Sequence, residues 1–518
     1  MLFNSYAFVY LFLPVVVVVF FLLGGASRTW ALRWVIVASL FFYGWWRPLN
    51  VLIILPSVLI NFLLARSLQR FNQQEQAGAA RLALTLGILF NVAFLGYFKY
   101  SNFFVDSVND AFGTHLILAH VILPLGISFI TFQKIAFLID VHAGRIQSFT
   151  LQDYCLFVLF FPQLIAGPIV HYREMMPQFH QARCRFDNEN VSVGLTLLAF
   201  GLFKKVMIAD RIAVLVSPIY QQAAIGARIA MFPAWVAAFG FTLQIYFDFS
   251  GYTDMALGVA RLFGIRLPPN FNSPLRALNI VEFWQRWHMT LTRFLTAYIY
   301  NPLTLWLTRR RASRSKPASI APNKHPGAFI ELLMFPVLLT MLVSGIWHGA
   351  GYTFIVWGVL HGVYLTINHA WRILRPRVWQ DKASYERLMK LPAWAITFVC
   401  VTVSMIIFRA ENLHTASNLL HGIAGLHGFG LRSGPGPKVV ALTLAIPAFI
   451  VFCCPNTLQI LSRFEPALGW ESAPSHSVLS GWRLIWQPSL LWATAVAVIL
   501  AVGILNLGGN SEFLYWQF

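Results

Sequence analysis

Two histidines, His348 and His361, lie in SGIWHGAGYTFIVWGVLHG, residues 344–362, a stretch that is otherwise apolar and dotted with glycine. At membrane depth an imidazole is costly unless it is paired or used. His348 sits between Trp347 and Gly349, at a hinge rather than within an apolar run. Glycines there let a substrate or another backbone approach closely. A neutral imidazole in that setting can act as a general base on an attacking hydroxyl. It can equally be a hydrogen-bonded structural histidine at a helix break. His361 follows thirteen residues later, which is roughly 220° around a continuous helix, so the two share no face. With no HxxxH spacing either, a metal pair on one helix is not expected.

A second constellation is NFNSPLRALNIVEFWQRWHMTLTRFL, residues 270–295, where Glu282 and Arg286, and likewise Trp284 and His288, are spaced i, i+4. The spacing predicts an amphipathic helix with a Trp, Arg and His edge. Such a helix can simply anchor at an interface, or His288, Arg286 and Trp284 can line a polar site inside a bundle. Upstream, YFDFSGYTDMALG (246–258) adds Asp248 and Asp254. Intramembrane carboxylates are functional suspects, although these two can also neutralise Arg261, Arg266 or Arg286. Lys204, Lys205 and Asp210 in GLFKKVMIAD, with Gln163 and His171 in FPQLIAGPIVHYREM, are further polar marks that can serve as bundle glue. Five cysteines show no metal spacing and read as small apolar residues. No Walker loop, GxSxG elbow or zinc motif occurs.

These residues need a scaffold, and composition says which kind. The chain is 58% hydrophobic and 11% charged, with mean hydropathy +0.65. That places it among all-α polytopic membrane proteins. Its net charge of +19 does not indicate nucleic-acid binding, because the basic residues lie in short loops between apolar runs. Apolar stretches occur near 7–24, 31–46, 49–65, 82–98, 115–139, 151–170, 193–220, 228–247, 294–308, 327–346, 353–370, 392–408, 438–454 and 489–509. Several are short or broken by Pro and Gly, so about 11–13 spans plus re-entrant or interfacial helices are expected. The first run lacks the basic n-region of a cleaved signal and is expected to be retained. The chain reads as one membrane domain over 1–518. Loops 66–81, 309–324 and 372–390 are basic and should be cytoplasmic. WHGAGY then falls at the outer end of two spans or in a broken segment, and three later spans place the C-terminus outside.

The stretch VSGIWHGAGYTFIVWGVLHG resembles the signature of membrane-bound O-acyltransferases. So do LPLGISFITFQ (123–133), FPQLIAGPIVHYREMMPQF (161–179), GLFKKVMIAD, YFDFSGYTDMALG, the 270–295 segment and IIFRAEN (406–412). Together they are similar to the bacterial branch that holds the alginate O-acetyltransferase membrane subunit and the D-alanyl transferase of teichoic acids. The resemblance implies many helices around a funnel or tunnel. It implies that His348 is the essential histidine, His288 the second polar one, and Trp347 part of the site. It implies transfer of an acyl group from a cytoplasmic thioester, acetyl-CoA or a derivative, towards an extracytoplasmic polysaccharide. It further implies a bacterial inner-membrane location and periplasmic acetyltransferase partners of the SGNH-hydrolase-like type, with a serine nucleophile. A thioester reacts with an alcohol given a base and a dry positioning site, without a metal. On this reading His288 binds the acyl carbonyl or orients the acceptor, and Asp248 can fix a tautomer.

The last residues, SEFLYWQF, are similar to the aromatic termini of the alginate-like branch. They can be an interfacial anchor, or Tyr515 can accept the acyl group transiently. The competing class is a transporter or flippase with an Asp, His and Arg path. A missing inverted repeat and the ordered motifs speak against it. Alginate, cellulose, another exopolysaccharide and peptidoglycan all remain open as acceptors. D-alanyl transfer is disfavoured, because that system supplies its aromatic peptide separately.

Overall fold

The computed structural model describes residues 1–518 except 119–120, 317–319, 321–324, 431–435, 471–483, 509–513 and 515–518. Among the described residues all regular elements are helical. Six helices are long and apolar enough to cross a bilayer: Ala7–Ala26, Leu49–Gln73, Ala77–Phe112, Asn188–Ala224, Pro326–His348 and Lys382–Arg409. Shorter apolar helices run Pro437–Cys453 and Leu490–Leu505. The long Met231–Leu262 helix carries Asp248, Asp254 and Arg261 in its second half, and Tyr352–Val378 gathers Arg372, Arg375 and Arg377 in its last turns. The protein is an all-α polytopic membrane protein.

Two expected spans take another form. The 151–170 run is not one helix. Leu151–Leu159 is nine residues, about 13.5 Å at 1.5 Å per residue, and too short to cross. A single turn follows, Phe161–Leu164, before the chain returns to the Tyr172–Gln181 helix. His180 there bonds Asp153 at the first helix's start, at 2.9 Å. The segment therefore enters and leaves on one side. The 294–308 run belongs to a continuous helical stretch from Met289 through a π-turn to Ala312.

The sides can be traced through contacts. The Ala77–Phe112 helix leaves the basic 66–81 loop, so Phe112 and the 122–126 segment lie on the outer side. The Ile127–His142 helix returns, and Asn72 Nδ2 bonds its last carbonyls, Val141 at 3.0 Å and His142 at 3.2 Å. The helices Pro326–His348 and Tyr352–Val378 form a hairpin whose connector, Gly349–Gly351, is extended. This is the break that the glycines of WHGAGY predict.

Small residues bring backbones together, as expected where lipid removes the hydrophobic drive between helices. A Cβ on Gly345 would meet the Phe354 carbonyl, and one on Gly358 the Met341 carbonyl, well inside contact distance. Gly201 and Gly251 stand in the same relation, as do Gly194 and Gly258. Gly358→Val should force the hairpin apart, at about 1–3 kcal/mol or more. The expected result is a lower melting temperature on fluorescence-detected size exclusion. A parent-like melt would show that the close approach is dispensable.

Candidate active site

His348 is the last residue of the Phe335–His348 helix, which stops because Gly349 is extended. Helix ends leave carbonyls without intrahelical partners. Here a distant helix supplies them: Lys99 Nζ donates to Trp347 O at 2.5 Å and His348 O at 3.0 Å, and Tyr100 OH donates to Ile346 O at 2.6 Å. A cation at a helix C-terminus also suits the dipole. The histidine is thus held by its backbone on three sides.

His288 sits in the break between the Ile280–Arg286 and Met289–Leu295 helices, with φ 43° and ψ 51°. A left-handed non-glycine backbone costs roughly 1–2 kcal/mol, so the surroundings must impose it. Asn270 does much of this. Its Oδ1 accepts from Thr290 N–H (3.2 Å) and Thr290 Oγ1 (2.9 Å) and lies 3.1 Å from His288 Nδ1. Because Thr290 N–H can only donate, Oδ1 is an acceptor. His288 Nδ1 therefore carries the proton, and Nε2 keeps a lone pair.

The two imidazoles meet, with ring centroids 6.3 Å apart. Trp347 is 5.0 Å from His348 and 6.0 Å from His288. Phe249 packs edge-on against His288 at 4.8 Å, while Trp357 and Phe408 flank His348 at 5.2 and 5.3 Å. Nε2 of each histidine and Nε1 of Trp347 are buried and have no hydrogen-bond partner among the described residues. Unspent polar atoms in a dry site need an explanation, and a reacting substrate is a direct one.

Two cavities approach this cluster. One, of about 300 Å³, is lined by Tyr43, Arg47, Asn50, Lys99, residues 122–129, Trp347 and His348. It lies towards the outer side, and Ile165 and Ala166 of the re-entrant segment contribute to its wall. The other, of about 550 Å³, is lined by Glu174, Pro268, Pro269, Trp284, Met289, Thr290 and Arg293 among others. It lies towards the basic-loop side, because Gln178 bonds the backbone of Arg266 (2.8 Å) two residues before Pro268. His288, fully buried, stands between them with Asn270.

The remaining sequence candidates are placed as follows. Trp284 borders the inner cavity, and its indole donates to His361 Nδ1 at 3.3 Å. His361 Nε2 bonds Ser404 Oγ at 2.9 Å, so both its nitrogens are used and it serves packing. Arg286 pairs with Glu282 at 2.6 Å and lines neither cavity. Asp248 pairs with Lys205 at 2.5 Å, and the residue that sets the His288 tautomer is Asn270 instead. Asp254 bonds Lys204 at 2.6 Å. The arginines suggested for these carboxylates have other partners: Arg261 takes Glu189, and Arg266 takes Glu465. Tyr515 lies outside the described residues. Sequence reasoning missed Asn270, Lys99 and Tyr100. A lone lysine in the apolar GYFKYSN stretch was the available signal for Lys99.

The profile of the membrane-bound O-acyltransferase family matches residues 16–316. The chain belongs to the membrane-bound O-acyltransferase family. Relatives extend this over the whole length. A peptidoglycan O-acetyltransferase of Helicobacter pylori is 38% identical over all of this chain and 98% of its own. A protein of Pseudomonas aeruginosa named probable alginate O-acetylase AlgI is 36% identical, with 100% of both chains covered. A teichoic acid D-alanyltransferase of Streptococcus thermophilus is 29% identical over 55% of this chain and 68% of its own. The protein is an O-acyltransferase of this membrane family.

Proposed function

We propose that this acyltransferase moves an acetyl group from acetyl-CoA, or another acetyl thioester, on the basic-loop side to a hydroxyl on the outer side. The group is used for O-acetylation of an extracytoplasmic polysaccharide. The observation that carries the reading is the buried imidazole pair, with free Nε2 atoms, between cavities approaching from the two sides. An exopolysaccharide such as alginate and peptidoglycan both fit as end acceptors. The inner membrane and periplasmic SGNH-hydrolase-like acetyltransferase partners complete the proposed setting. D-alanyl transfer is the lesser alternative, since the relatives with that name align over a shorter part of the chain.

The chemistry assigns each polar atom a task. His348 takes the proton of the acceptor hydroxyl as its oxygen bonds to the thioester carbonyl carbon. Trp347 Nε1–H is the donor nearest to hand for the oxyanion that forms. The tetrahedral intermediate collapses, the C–S bond breaks, and the thiolate takes the proton back from the imidazolium. His288, whose Nε2 is an acceptor, receives an N–H or S–H of the departing carrier rather than donating to the carbonyl. The aromatic box around both rings keeps water from competing.

Tyr515 is the proposed first acceptor. Leu514, beside it, is fully buried in the apolar cluster that also holds Phe249, Trp357 and Phe408. After incubation with acetyl donor, mass spectrometry of the C-terminal peptide should show one acetyl group on Tyr515. Tyr515→Phe should lose at least about tenfold in polymer acetylation. A fully active Tyr515→Phe enzyme would remove the tyrosine from the route.

A further inference from the structure

We propose that the outer cavity holds the headgroup of an anionic phospholipid from the outer leaflet. Its position is the first support. The Leu49–Gln73 helix ends in the basic 66–81 loop, so Arg47, just before its start, lies at the opposite face of the membrane. Trp45 and Trp46 beside it are 42% and 47% exposed, the aromatic pattern of headgroup depth. The cavity of about 300 Å³ is lined in part by Trp46, Ile122 and Leu123, all exposed, which give it an apolar mouth. Further in, the lining carries two cations, Arg47 and Lys99, and no acidic residue. Lys99 uses two of its three N–H donors on the carbonyls of Trp347 and His348, leaving one. Arg47 Nη1 is buried and unpartnered among the described residues.

Two further lining atoms are orphaned. Tyr43 OH belongs to a side chain 2% exposed, and Asn50 Oδ1 to one 7% exposed. Neither has a hydrogen-bond partner among the described residues. Buried orphans of this kind cost stability unless a ligand completes them. A phosphodiester completes three of the four groups. Its oxygens accept from Arg47, from the third N–H of Lys99 and from Tyr43 OH. Asn50 Oδ1 accepts, and so asks for a hydroxyl or an ammonium on the headgroup. An ammonium would bring a third cation beside Arg47 and Lys99, so a hydroxylated headgroup of net negative charge, phosphoglycerol, matches the set. The acyl chains then cover Ile122 and Leu123, which a free phosphate would leave bare. Leu514, beside the proposed acceptor Tyr515, packs in a different apolar cluster from the cavity walls Tyr43, Phe129, Ile165 and Trp347, so a lipid here leaves it undisturbed.

Native mass spectrometry of the detergent-purified parent protein reads binding without turnover, and so stands apart from the acyl-transfer reading. Phosphatidylglycerol and phosphatidylcholine are supplied in equal amounts. The expected spectrum shows one retained phosphatidylglycerol, favoured about tenfold over the zwitterionic lipid. Arg47→Gln should lose that preference, and Arg47→Lys should keep part of it. Arg228→Gln, which removes an exposed arginine outside the cavity, should keep all of it. Inorganic phosphate in excess should leave the lipid in place. Equal retention of the two lipids in the parent, or an unchanged preference in Arg47→Gln, would overturn the assignment. Displacement by inorganic phosphate would overturn it in favour of a free-anion site. The parent arm needs no variant, so a poorly folding Arg47→Gln leaves the test intact.

Discussion

His348→Ala should leave the protein folded and membrane-inserted but lower polymer acetylation by at least about a hundredfold, the lower end of what a positioned general base contributes. The side chain is buried, and its Nε2 meets no partner among the described residues. Alanine therefore removes no hydrogen bond made through that atom. The Lys99 and Tyr100 bonds go to backbone carbonyls and survive the change. Packing against Trp357 and Phe408 is lost, so a modest fall in melting temperature should accompany inactivity. Acetyl esters on purified polymer, counted by NMR against protein level by immunoblot, separate the two effects. Normal ester content with normal expression would remove His348 as the base.

The second large effect is structural. Lys205 is buried between Asp248 at 2.5 Å and Asp210 at 2.8 Å, with Lys204 on Asp254 beside it. Removing one partner of a buried pair strands the other charge and costs about 3–5 kcal/mol. Lys205→Met should therefore yield little monodisperse protein in detergent. Lys205→Met with Asp248→Asn should recover part of it, since one of the two stranded carboxylates is then neutral. The consequence reaches the site, because Asp248 lies one residue from Phe249, which packs on His288. Two variants that melt like the parent would show that the cluster bears no structural load.

Much of this architecture was legible in the sequence. Apolar runs gave the long helices, and the glycines of WHGAGY marked the hairpin's connector. The ordered motifs brought His348 and His288 to one site from segments sixty residues apart. Other parts were not legible, for physical reasons. An apolar run carries no mark of whether it crosses or turns back, and so 151–170 reads like a span although Phe160 and Ile165 break it. Pairing partners are tertiary facts. The lysines beside Asp248 and Asp254 in space are 43 and 50 residues away in sequence, while the nearer arginines serve other acids. Asn270 looks like any loop asparagine until Thr290 and His288 converge on it. The helical angle between His348 and His361 supposes one continuous helix, which the extended Gly349–Gly351 connector interrupts. Both rings pack on Trp357, and it is their partners that distinguish them: His361 has two, and His348 Nε2 none among those described.

The central claim is transfer across the membrane through the His348–His288 pair. The most direct measurement uses proteoliposomes sorted by orientation. Carbon-labelled acetyl-CoA is supplied on the side of the basic loops, with acceptor polymer and partner acetyltransferase confined to the other side. The account predicts label in the polymer with the parent enzyme and none above background with His348→Ala. Label arriving equally with His348→Ala, or arriving only when donor and acceptor share a side, would contradict it.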